Sequence, residues 1–203
     1  MSVGPPDAAP PGTTFERAEA SLGAFDDAVD VHFERFRGQR GPDLVARALS
    51  NLADYGAVWA ALAGTKSRHR GARRRRATRS LAIAGFSSLA VNAGIKALVQ
   101  RQRPIGAERS GAGLPVRDPS STSFPSGHTL AAFCTAVVLA ESPAQVAGYL
   151  AFATAVAASR VHLRAHHASD VVGGAVIGTV LGAAGRRVLR RHRLEECPTP
   201  QRG

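Results

Sequence analysis

Five apolar stretches, set between loops of very different charge, limit what this chain can fold into. They run roughly over residues 44–64, 80–99, 128–140, 144–158 and 171–185. A helix crossing a bilayer squarely needs about 20 apolar residues. Several stretches are shorter, but each reaches that length if its ends extend into the polar residues beside it. Their many Ala and Gly residues suit close helix packing in lipid. A soluble all-helical bundle competes with this reading, because apolar runs of this length also occur in cores. Composition does not separate the two: a hydrophobic fraction of 44% is ordinary for soluble chains.

Charge patterning favours the membrane. Lys66, Arg68, Arg70, Arg73, Arg74, Arg75, Arg76 and Arg79 fall between the first two stretches, and Arg186, Arg187, Arg190, Arg191 and Arg193 follow the fifth. If five helices alternate in direction, both blocks land on one side, and Lys and Arg in short loops mark the cytoplasm. The C-terminus and the turn at 141–143 are then expected inside, with loops 100–125 and 159–170 on the extracytoplasmic side. A net charge of +11 also invites a nucleic-acid reading. No nucleic-acid motif accompanies it, and aromatic residues for base stacking are scarce in the basic stretches. The expected partners are therefore the membrane and a lipid, not nucleic acid.

Outside the stretches the chain divides further. Residues 1–14, rich in Pro, Gly and Ala, read as a disordered tail with no cleavable leader legible in them. Over 15–40, Phe15, Ala18, Leu22, Phe25, Val29, Phe33 and Phe36 recur at helical intervals. This amphipathic segment could lie on a membrane surface or pack on the domain, and Gly38 and Gly41-Pro42 are expected to end it. A membrane domain over 43–193 and a polar tail over 194–203 complete the layout. Cys134 and Cys197 form neither a metal-type spacing nor a disulfide framework. Arg47 and Asp54 sit inside the first stretch, where a central charge costs about 2.5–3.5 kcal/mol on insertion scales. They are expected near an end, paired, or facing the bundle interior.

Three short motifs carry the chemistry. Lys96, Arg103 and Pro104 close the second stretch. Pro125-Ser126-Gly127-His128 opens the third. Ser159, Arg160, His166 and Asp170 join the fourth to the fifth. All three fall on the same expected side. A phosphoryl group in its transition state spreads negative charge over its equatorial oxygens. Lys96, Arg103 and Arg160 can surround those oxygens, the arginines in bidentate fashion. Ser126 and Gly127 put a tight turn before a helix, where backbone N–H groups and a hydroxyl make an anion site. His166 can attack phosphorus through an unprotonated ring nitrogen. Asp170, four residues on, can accept the other ring N–H and stabilise the cation that forms. The product is a phosphohistidine, later hydrolysed by water, with His128 as acid for the leaving oxygen and base for the water. A two-metal site needs several carboxylates or histidines, and Asp170 is the one acid within a motif. No metal and no cofactor are expected.

These motifs, in this order, resemble the signatures of the type 2 phosphatidic acid phosphatase (PAP2) superfamily: K-x6-RP, PSGH and SR-x5-H-x3-D, with no departure at a fixed position. Its members include membrane lipid phosphatases and soluble vanadium haloperoxidases. The motifs span 96–170, and the helical pattern extends the likeness to about 44–185. The resemblance implies an all-α membrane bundle of about five transmembrane helices with an N-terminal amphipathic helix. It implies the same roles for Lys96, Arg103, Ser126, Gly127, Arg160, His128, His166 and Asp170. The layout looks most like the bacterial undecaprenyl pyrophosphate phosphatases, so a polyprenyl diphosphate is the first expected substrate. Phosphatidic acid, phosphatidylglycerophosphate and polyprenyl-phosphosugar phosphates stay open. A haloperoxidase-type oxidoreductase and a non-catalytic binder of anionic lipids are the readings from other classes.

The remaining polar residues read more plainly. The spacing selects His166 over His167, and His162 reads as a loop histidine. Arg101, Arg109, Arg117 and Arg164 are candidates for added positive field near a second phosphate, with solvated loop positions preferred for Arg109 and Arg117. The Gly-, Pro- and Ser-rich loop 105–124 is a candidate rim over the site.

Overall fold

The computed structural model describes residues 12–53, 59, 61, 71–104 and 122–195. Residues 1–11 of the tail, Asp54, the basic positions 66–70, Arg109, Arg117, residues 105–121 of the candidate rim and Cys197 lie outside the described residues. Among the described residues the fold is all-α, with six helices in the order α1 (Thr14–Glu34), α2 (Arg40–Ala53), α3 (Ala72–Leu98), α4 (Gly127–Leu139), α5 (Pro143–His162) and α6 (Ala168–Glu195).

Local chemistry sets the helix starts. Thr13 and Glu16 form a reciprocal capping box at α1: Thr13 Oγ1 accepts from the Glu16 N–H at 3.2 Å, and Glu16 Oε2 accepts from the Thr13 N–H at 2.8 Å. Gly38, at φ +77°, turns the chain into α2. Gly41-Pro42 then lies in the first turn of α2, where proline is tolerated, so the break falls earlier than the sequence suggests. Ser142 caps α5 by accepting from the Gln145 N–H at 3.3 Å, and Pro143 takes the first helical position.

Three of the helices, α2, α3 and α6, bury the opposite faces from those of a soluble bundle. In α2 the inward residues are Asp43, Ala46, Arg47 and Ser50, while Leu44, Val45 and Leu52 stand half exposed. Arg47 thus faces the interior, as a charge in a lipid-facing helix must. In α3, Ser80, Ala84 and Ser88 point inward, and Phe86 and Leu89 are 78% and 73% exposed. In α6, Val172, Val176 and Val180 face outward. Large apolar side chains outside and small or polar ones inside disfavour the soluble bundle, which would put them the other way round. Thr78–Leu98 and Ala168–Arg191 are long and apolar enough to cross a membrane.

At the centre lies α4, packed most extensively on α6 and also on α3 and α5. Its 13 residues rise about 20 Å, short of the ~30 Å hydrocarbon core. The α4–α6 seam is glycine-made. A Cβ on Gly174 would stand 2.8 Å from the Ser126 carbonyl oxygen, one on Gly182 2.7 Å from that of Cys134, and one on Gly178 would strike the Leu130 oxygen. Spacing by four puts these positions on one face and lets the two backbones touch. Trp59 closes the other side of α4 against Ala132, Ala136, Leu139, Ala153 and Val156. The seam fixes the start of α4 against the start of α6, and there the motifs meet.

Candidate active site

Direct bonds join all three motifs at one end of the bundle. The Ser126 N–H donates to the Asp170 carbonyl at 3.1 Å, tying the second motif to the third. Arg103 donates to the Ala165 carbonyl, and its Nη1 lies 3.3 Å from His166 Nε2, tying the first to the third. Thr122 Oγ1 donates to the Lys96 carbonyl at 3.4 Å, joining the end of α3 to the approach to α4.

His166 sits in the short turn between α5 and α6. The turn is tight because Arg164 adopts φ +52°, which lets the Ala165 and His166 N–H groups both reach the Arg160 carbonyl, at 3.0 and 3.3 Å. The imidazole is 3% exposed. Its Nδ1 lies 2.7 Å from the Ser123 carbonyl oxygen. A carbonyl only accepts, so the proton resides on Nδ1 and the Nε2 lone pair is left facing Arg103. Burial holds this histidine well below the usual imidazole range, and the positive charges of Arg160, Arg103 and Lys96 push the same way, against the pull of the Ser123 bond. The arrangement supplies a neutral imidazole nitrogen among cations, which suits attack on an anionic phosphoryl group.

One expected contact differs. Asp170 does not take the Nδ1 proton: its Oδ2 stands 3.9 Å from Nδ1. The carboxylate instead accepts from Ser123 Oγ at 2.5 Å, the His167 N–H at 2.8 Å and Arg101 Nη1 at 2.7 Å. It therefore holds the residue whose carbonyl holds His166. The i,i+4 spacing brings the two side chains near each other, but α6 begins only at Ala168, so His166 precedes the helix and the register of a helical face does not apply.

The second motif departs in a detail. Ser126 occupies the N-cap position of α4 without a side-chain capping bond and is fully buried. Its N–H is spent on Asp170, and its hydroxyl accepts from Thr129 Oγ1 at 3.0 Å. The helix-start donors for an anion are then those of the following residues. Gly127 packs against Asn92, whose Nδ2 would stand 3.2 Å from a Cβ there. His128 is partly exposed at the second position of α4.

Arg160 is 4% exposed in the last turn of α5 and donates to Ser50 Oγ of α2. His162 is no loop histidine: it ends α5, buried, with Nε2 2.8 Å from Asp43. Arg101 and Arg164 are both committed to carboxylates. Arg101 Nη2 donates to Asp26 at 2.6 Å, and Arg164 Nη2 donates to Asp30 at 3.2 Å and Glu34 at 2.8 Å. Sequence reasoning missed Ser123, Asp26, Ser169 and Ser50. Only Ser123 carried a signal, through the polar run that abuts the second motif.

Cations and a neutral imidazole meeting at one end of a bundle of lipid-facing helices define a class, the membrane phosphatases. The chain belongs to the PAP2 superfamily, whose sequence profile matches residues 77–194. Decaprenylphosphoryl-5-phosphoribose phosphatase of Mycolicibacterium smegmatis is 34% identical over 150 residues, 73% of this chain and 81% of that protein. Its namesake in Mycobacterium tuberculosis is 31% identical over 140 residues, 68% of this chain and 75% of that one. The fold is shared with a transmembrane PAP2-type phosphatidylglycerolphosphate phosphatase from Bacillus subtilis, at TM-score 0.67 and 21% identity over 89% of this chain and 90% of that one. It is shared also with Aquifex aeolicus LpxE, at TM-score 0.59 and 23% identity over 76% and 92%.

Proposed function

We propose that this chain removes the terminal phosphate monoester from a polyprenyl-phosphosugar phosphate, through a phosphohistidine on His166. The observation that carries the chemistry is the His166 ring itself, with its Nδ1 proton on the Ser123 carbonyl and its Nε2 turned to Arg103. The substrate class follows the mycobacterial relatives, whose name describes a 5-phosphoribose on a polyprenyl phosphate. This reading displaces undecaprenyl pyrophosphate as first choice, since a monoester on a sugar is what those relatives' name describes. A family match together with phosphatase relatives also favours hydrolysis over the haloperoxidase and lipid-binding readings.

In the first step Nε2 attacks phosphorus, the bond from phosphorus to the sugar oxygen breaks, and His128 protonates that oxygen. Lys96, Arg103, Arg160 and the N–H groups at the start of α4 bear the equatorial oxygens. The imidazolium-type charge formed on His166 is offset by Asp170, 3.9 Å away. In the second step His128 takes a proton from water, the oxygen attacks phosphorus, and the P–N bond breaks to release inorganic phosphate and neutral His166. We assign α2 to α6 to five spans, with α1 on the extracytoplasmic face beside the site and the C-terminus in the cytoplasm. A lipid can then enter sideways with its chain still in the bilayer.

The test is phosphate release by purified protein in detergent from a polyprenyl-phosphopentose phosphate, undecaprenyl pyrophosphate, phosphatidic acid and phosphatidylglycerophosphate. The phosphosugar should be the best substrate, with activity that persists in EDTA, falls with vanadate and is lost in His166→Ala. Strict dependence on magnesium, or full activity in His166→Ala, contradicts the mechanism; preference for another lipid contradicts the substrate alone.

A further inference from the structure

Asp26, on α1, lies outside the matched span of 77–194 and outside every motif. It is nonetheless 6% exposed, on a helix that otherwise carries its polar groups in the open. Both carboxylate oxygens are used at the site. Oδ1 accepts from the Ser169 N–H at 2.7 Å, one of the donors that a helix start leaves without an intrahelical partner. Oδ2 accepts from Ser169 Oγ at 2.8 Å and from Arg101 Nη2 at 2.6 Å. Arg101 then spans two carboxylates, since its Nη1 donates to Asp170 Oδ1 at 2.7 Å and to Ser169 Oγ at 2.6 Å. Its backbone carbonyl also accepts the Ser123 N–H at 2.8 Å. From there the chain is short: Asp170 holds the Ser123 hydroxyl, and the Ser123 carbonyl holds Nδ1 of His166. Burial alone would push the Asp26 carboxyl upward, but the bonds from Ser169 and Arg101 outweigh it and keep the group below the usual carboxylate range, hence charged.

We propose that Asp26 is a positioning residue for phosphoryl transfer, acting through Arg101 to fix Asp170 and the Ser123 carbonyl that orients His166. The inference rests on His166 being the nucleophile. It gives α1 a task beyond attachment. Attachment is provided separately, where Arg37 binds Asp30 at 2.5 Å and the Val161 and His162 carbonyls at 3.0 and 2.9 Å. A shift of about 1 Å in a reacting group costs on the order of 100-fold in rate, so loss of one link in this chain should lower kcat about 10- to 100-fold.

The experiment compares Asp26→Asn, Asp26→Glu, Arg101→Lys and Asp30→Asn in the full-length protein, with His166→Ala as reference. Each is checked for folding by thermal unfolding and gel filtration in detergent. Asn keeps the shape of Asp but not the charge that Arg101 needs, whereas Glu keeps the charge and strains the packing. A positioning role predicts kcat down about 10- to 100-fold in Asp26→Asn with KM little changed, partial recovery in Asp26→Glu, and a similar loss in Arg101→Lys that does not multiply when combined with Asp26→Asn. It predicts that Asp30→Asn lowers the unfolding temperature without lowering kcat comparably. The proposal is overturned if Asp26→Asn keeps kcat within twofold, if Asp26→Glu is worse than Asp26→Asn, or if Asp30→Asn loses as much kcat. If Asp26→Asn does not fold, wild-type kcat in Arg101→Lys overturns it alone. Full activity in His166→Ala would instead sink the underlying reading, whatever the Asp26 variants do.

Discussion

The N-terminal pair, α1 and α2, and the four-helix body, α3 to α6, contribute to the same site in different ways. The body carries every motif residue, from Lys96 to Asp170, and its core is a glycine seam that brings backbones into contact. The pair carries no motif. It presents acids and a hydroxyl inward, with Asp26 on Arg101, Asp43 on His162 and Ser50 on Arg160. The groups proposed to touch phosphate come from the body, and the pair gives one of them a direct partner, Ser50 on Arg160, and sets acids on the arginine and the histidine beside them. A positively charged site needs such a counterpart, since crowded cations repel one another unless carboxylates lie behind them.

This division can be broken most sharply at Arg103. Replacing it by Gln removes a donor proposed to bind the transferring group and should cost about 100- to 1000-fold in kcat/KM, with little change in unfolding temperature. The same variant tests the field on His166. Arg103 disfavours the imidazolium, so its removal raises the histidine's pKa. The acid limb of kcat/KM, which in the native enzyme should fall at a pH below the ordinary histidine range, should then move upward. An unmoved limb would mean that the limb reports another group.

A smaller effect is expected at the seam. Gly178→Leu forces α4 and α6 apart where any Cβ meets the Leu130 carbonyl, and should cost about 1–3 kcal/mol of stability. Denaturant or thermal unfolding in detergent reads this directly, and unchanged stability would deny that the helices touch there. The smallest effect should come from the part of the pair that does not reach Arg101: Asp43→Asn weakens the tie to His162 by about 1 kcal/mol while leaving kcat within about twofold. A loss like that at Arg103 would erase the distinction between the two regions.

The motifs were legible because their spacing is local: each lies at a helix end or in one loop, and a few residues fix its geometry. They identified the residues that the fold brings to one end of the bundle. The glycine content likewise foretold close packing, which the seam at Gly174, Gly178 and Gly182 realises. What sequence could not supply was the identity of the Nδ1 partner. That partner is a backbone carbonyl, Ser123, and a backbone group leaves no mark in residue type. Asp26 was hidden for a different reason. It meets Ser169 across 143 positions and sits just off the apolar stripe that defines α1. That stripe was itself half readable: Val29 and Phe33 pack inward, but Phe15, Leu22, Phe25 and Phe36 are exposed. Periodicity finds an apolar face without telling whether protein or lipid covers it. In α2 the buried polar residues at 43, 47 and 50 also follow a helical period, and an apolar stretch with a polar period of this kind is the sign of an inward-facing charged stripe.

The most direct test of the account is the covalent intermediate. Enzyme mixed with a polyprenyl-phosphosugar labelled in its terminal phosphate and quenched within one turnover should carry label that is stable to base and labile to acid. That label should map to the peptide containing His166 and be absent from His166→Ala. Label on another residue, or native turnover by His166→Ala without any label, would contradict the assignment of His166 Nε2 as the attacking atom.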